Sequence, residues 1–86
     1  MNQPEYRKTY VTINLKVFPD GRKRPMSLVW KDGVTYEIDR LLHITPAASL
    51  KVGGRGTRYT VMIEGKERYL FEDDGRWFVE ERISSS

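Results

Sequence analysis

Three short aromatic runs, each closed by an acid–glycine turn, constrain this chain more than any other feature. Leu28-Val29-Trp30 precedes Lys31-Asp32-Gly33. Tyr59-Thr60-Val61-Met62-Ile63 precedes Glu64-Gly65-Lys66, and Tyr69-Leu70-Phe71 precedes Asp73-Asp74-Gly75. An acid–glycine pair between alternating apolar runs is a strong hairpin signal, because glycine adopts positive φ without a Cβ clash. The pattern predicts an antiparallel meander. A sheet must hide its edges, so the expectation is an all-β fold that closes into an SH3-like barrel of five or six strands.

The rest of the chain fits the same rhythm. From Tyr6 to Phe18, Val11, Ile13, Leu15 and Val17 alternate with Tyr10, Thr12, Asn14 and Lys16, a half-buried strand whose length suggests either a bend or a strand serving two parts of a curved sheet. Pro19-Asp20-Gly21 ends it, and Pro25 delays the next strand. Val34, Tyr36 and Ile38 alternate again. The slip at Leu41-Leu42 predicts a β-bulge or a corner, with a short helical turn as the alternative. Residues 45–57 form the longest irregular segment, where Thr45 and Pro46 are suited to start one turn of helix over Pro46–Leu50. Residues 1–5 read as a frayed start, 6–83 as one domain, and 84–86 as a tail.

The expected core is Val11, Ile13, Leu15, Leu28, Trp30, Tyr36, Ile38, Val61, Ile63 and Val79, together with either Leu70 or the pair Tyr69 and Phe71. The strand over 67–72 is apolar on both sides, so its register is open. Trp77 and Phe78 point to opposite faces of one strand, which leaves one of them to be exposed or to cover a barrel end.

At 86 residues a chain has room for one small core and little room for a deep catalytic cleft. It contains no cysteine, which excludes thiol catalysis and cysteine-based zinc sites and favours a reducing, cytoplasmic setting. The start, Met1-Asn2-Gln3-Pro4-Glu5, lacks the apolar stretch of a signal peptide. His43 is the sole histidine, and no nucleophile stands at a recognisable spacing from it. Glu72-Asp73-Asp74 is a turn rather than a metal loop, and Gly53-Gly54-Arg55-Gly56 lacks the Lys-Ser/Thr and helix of a phosphate-binding motif. The expectation is therefore a non-enzymatic protein without cofactor or metal.

Charge gives the only functional lead. The net charge is +3, and it is unevenly spread. Arg22, Lys23 and Arg24 form one basic loop; Lys51, Arg55 and Arg58 form another, with no acid among residues 51–58. With Trp77 as an exposed ring, these residues form a candidate nucleic-acid interface of the kind in which cations meet phosphates and an aromatic stacks on a base. The alternative is a protein partner or a second copy, docked on an apolar patch at Trp77 or Phe78 or on an open strand edge.

Trp30-Lys31-Asp32-Gly33-Val34-Thr35-Tyr36, Arg58-Tyr59-Thr60-Val61, Tyr69-Leu70-Phe71 and Arg76-Trp77-Phe78-Val79-Glu80 follow an order that resembles small uncharacterised bacterial domains of the DUF6504 type. The resemblance covers residues 26–82. Pro46–Leu50 and Gly53–Gly56 stand where that pattern tends to place tryptophan. Some such domains are associated with DNA-repair polymerase genes, so the resemblance implies a bacterial accessory protein with a lean toward nucleic acid. It transfers no functional residue.

Overall fold

The computed structural model describes residues 5–46 and 56–83. Its strands are β1 (Glu5–Val17), β2 (Lys23–Val29), β3 (Thr35–Glu37), β4 (Arg40–Pro46), β5 (Thr57–Ile63), β6 (Lys66–Asp73) and β7 (Arg76–Ile83). They form one antiparallel sheet of seven strands in the order β3-β2-β1-β7-β6-β5-β4, and no helix occurs among the described residues. Thr45 and Pro46, expected to start a helical turn over Pro46–Leu50, instead end β4 in register with Arg58 and Thr57, which corrects that start; the rest of the turn and most of the Gly53–Gly56 loop lie outside the described residues.

Turn chemistry sets the register. Glu64-Gly65 and Asp74-Gly75 are two-residue hairpin loops in which both positions take positive φ, 52° and 75° in the first, 52° and 80° in the second. Such turns match the right-handed twist of the flanking strands. Glu72 adds a brace, its Oε2 accepting from the Gly75 N–H at 2.8 Å. In the wider turns, Asp20 and Asp32 accept from the N–H two residues on, at 3.0 and 2.9 Å.

β1 does serve two parts of the sheet. Its first half, Glu5 to Val11, pairs with β7; its second half, Thr12 to Val17, pairs with β2. The slip at Leu41-Leu42 is a bulge, since Leu41 and His43 oppose consecutive residues of β5.

The sheet curls but does not close, which corrects the expected five- or six-stranded SH3-like barrel. β3 and β4 lie at opposite ends of the strand order, yet only Ile38 and Asp39 separate them in the chain. The Ile38 N–H donates to Met26 O of β2 and the Asp39 N–H to Met62 O of β5, at 3.0 and 2.8 Å, tying the two lips at one point. β3 has three residues and covers only Ser27 to Val29 of β2. The first half of β2 and the whole of β4 therefore have a strand on one side only among the described residues. The product is a half-barrel with an open seam.

Inside the curl, Leu28, Ile38, Tyr59, Val61, Leu70 and Trp77 form the core, with Val11, Ile13, Trp30, Tyr36, Leu41, Ile63 and Val79 packed against them. Leu15 is not in it: just past the register shift in the β1–β2 ladder it stands opposite Pro25 and is exposed. The ambiguous strand resolves with both sides buried. Leu70 faces inward, whereas Phe71 faces outward, opposite Phe78, and Tyr69 is exposed. Trp77 and Phe78 are likewise both buried, at 6% and 0% exposure, so of the two alternatives for this pair the exposed ring is excluded. Phe78 is held on the outer face by Phe71, stacked at 5.4 Å, and by Tyr10, edge-on at 5.7 Å. Lys8 places its ammonium 4.9 Å from the Phe78 ring.

Candidate functional site

The seam opens into a cleft of about 630 Å³. The β1–β2 turn contributes Phe18 and Arg22 to it, β4 contributes Arg40, Leu41 and Ile44, and β2 contributes Lys23 and Arg24, which pair with Val17 and Lys16 in the ladder rather than forming the loop expected ahead of Pro25. Tyr59 of β5, an inward-facing core residue, forms part of its floor. Cations thus stand on both lips over an apolar base.

The turn that carries Arg22 and leads into Lys23 and Arg24 is tightly built. The Phe18 N–H donates to Arg22 O at 2.9 Å and the Gly21 N–H to Phe18 O at 2.8 Å. Lys16 and Arg22 flank the Phe18 ring at 5.4 and 5.6 Å from its centroid. Asp20 pairs with Arg22 at 2.7 Å in an exposed contact that screens part of one charge. Lys23, Arg24 and Arg40 have no ion pair among the described residues, and no carboxylate lines the cleft there. The Tyr59 hydroxyl is held protonated beyond its ordinary range, first by burial and second by the nearby Glu72 carboxylate.

Of the residues singled out from the sequence, Arg22, Lys23 and Arg24 gather in this cleft. Arg58 does not. It lies on the outer face in register with Phe71, its guanidinium 4.7 Å from the Tyr69 ring centroid, with a buried Nε that lacks a hydrogen-bond partner. Trp77 is packed against Tyr59 at 4.7 Å between centroids, so it is closed to a base. Lys51 and Arg55 lie outside the described residues. The sequence reading missed Arg40. Its signal was the short Ile38-Asp39 link, which brings the start of β4 back beside β2.

A second cleft, of about 690 Å³, lies toward the other ends of β2 and β5, lined by Trp30, Tyr36, Ile63 and Val79 with Glu64, Glu67, Glu80 and Glu81 around them. Glu81 is committed to structure. It accepts from Thr9 Oγ1 at 2.6 Å and from Lys31 Nζ at 2.9 and 3.1 Å, and pairs with Arg7 at 3.3 Å. These donors, Thr9 and Lys31 foremost, hold its carboxyl at about 2. The clasp joins β1, β7 and the β2–β3 turn. His43 lines neither cleft, and is exposed opposite Thr60.

Compared with known proteins, the chain matches no family model, and no curated protein or solved structure shows significant similarity to it.

Proposed function

We propose that this protein is a non-enzymatic binding module whose working surface is the basic cleft, where it holds an anionic chain. One observation carries this reading: cations stand on both lips of the open seam, with no lining carboxylate to answer them among the described residues. A nucleic-acid strand is one such ligand. Its phosphates would meet Arg22, Lys23, Arg24 and Arg40, with Phe18 as the nearest ring. The open edge of β4 favours a second reading, docking of a protein partner or a second copy. The apolar patch once expected at Trp77 or Phe78 gives no support to it, since both side chains are buried.

The test is a titration of the labelled protein with oligodeoxythymidine and with polyglutamate across a salt series. With three or four charges neutralised, a single-stranded nucleic acid should show a log–log salt slope of about −2 to −3. Reversing charge with Arg24→Glu and Arg40→Glu should lower affinity for either polymer by more than about tenfold. Equal binding by the reversed variant, or no binding by either polymer, would remove the cleft as the working surface.

A further inference from the structure

We infer that the occupant of the basic cleft is an extended acidic segment of a partner polypeptide, which adds a strand along the free edge of β4. This rests on the cleft being the working surface and names the chemistry of what it holds.

Backbone comes first. Among the described residues, β4 presents one side of its backbone without a strand partner, and the first half of β2 does the same across the seam. Unpaired edges are templates for another strand, and proteins usually shorten, charge or bulge them. β4 has seven residues. Its bulge disturbs the ladder between Leu41 and His43 only, and His43, Ile44 and Thr45 pair regularly with β5.

Side chains point the same way. Ile44 lies on the inner face, opposite Tyr59, yet is 48% exposed, with no strand among the described residues crossing the seam. Leu41 of β4 lines the cleft with Ile44, opposite Val61 on the same inner face. These are aliphatic surfaces. An added strand sets alternate side chains against them and turns the others toward the cations of the lips. A nucleobase gains chiefly by stacking on rings. Here Trp77 and Tyr59 are buried, and the Phe18 ring already carries Lys16 and Arg22. The space fits: at a rise near 3.3 Å, a lateral spacing near 4.8 Å and a depth near 10 Å, the cleft's 630 Å³ accommodates about four residues of strand.

The deciding probes are a fluorescent peptide of alternating Val and Glu, the same peptide N-methylated at alternate residues, and oligodeoxythymidine of equal charge. The inference expects the plain peptide to bind, slowing deuterium exchange at β4 amides, and N-methylation to weaken it by about tenfold or more. Ile44→Asp, at an exposed position, should weaken the plain peptide similarly while the variant keeps its unfolding midpoint. Equal binding of both peptides overturns strand addition but keeps the cleft. Binding of the oligonucleotide in preference to the peptide overturns the partner class and keeps the cleft. Binding of none of the three overturns both readings. A doubling of mass on concentration, with β4 protected, would replace the foreign partner by a second copy.

Discussion

Replacing Phe78 with Ala tests whether the outer face of the sheet is as structural as the inner one. Phe78 is fully buried, between Phe71 and Tyr10. Truncating a buried Phe to Ala ordinarily costs about 3–5 kcal/mol, from lost transfer energy and the cavity left behind. Nothing suggests easy collapse, since Phe71 would lose its stacked partner and Tyr10 its edge contact. A domain of this size has roughly 5–10 kcal/mol in total, so the variant should sit near the limit of folding. Urea unfolding followed by far-ultraviolet circular dichroism reads the loss, with a fall in Tm well above about 10 °C expected. Tyr69→Ala, on the same face but 47% exposed, should cost less than about 1 kcal/mol. Phe71→Ala combined with Phe78→Ala should cost less than the sum, by about 0.5–1.5 kcal/mol, because the pair shares one stacked contact. A loss below about 1 kcal/mol for Phe78→Ala would refute the two-sided burial and leave the inner core alone as the source of stability.

Three further predictions concern charge, turns and the two tryptophans. Because Glu81 is held at about 2, below its ordinary value of 4.5, its clasp adds stability that is complete above the ordinary value and is lost as pH falls toward 2. The midpoint of wild type should therefore drop more steeply between pH 5 and pH 2 than that of Glu81→Gln, and identical pH profiles would contradict the clasp. Gly75→Ala forces an L side chain to φ 80° and should cost about 1–2 kcal/mol by urea unfolding; an unchanged midpoint would show that the turn relaxes. In Trp30→Phe the remaining Trp77 should emit from a dry setting and resist acrylamide quenching, with no change on adding oligonucleotide, whereas quenching by a base would restore it as a contact residue.

The sequence made the meander legible because its hairpins are local. Asp32-Gly33, Glu64-Gly65 and Asp74-Gly75 announce their turns within a few residues, and alternation then assigns Val61, Leu28 and Ile38 to the core. Closure was not legible. It depends on how far β3 runs beside β2, and Val34 to Ile38 alternates no differently from a longer strand. Burial of Phe71 and Phe78 was hidden for a related reason, since period-two logic assumes one wet face and this sheet is covered on both where they meet. For the site, the run Arg22-Lys23-Arg24 was visible as local charge. Arg40 became its neighbour only through the Ile38-Asp39 link, and Arg58 parted from it because strand alternation sends it to the opposite face from Tyr59.

β7 occupies the middle of the strand order, between β1 and β6, and pairs Ile83 with Glu5 across almost the whole described length. The sheet therefore has no smaller version of itself built from its earlier strands. During synthesis β1 to β3 and β4 to β6 can form only as separate hairpin sets, each with a raw edge where β7 belongs. Until Arg76–Ile83 has formed β7, the two half-sheets meet only at the Ile38-Asp39 link, and each keeps an unmatched edge of the kind that invites pairing with other chains.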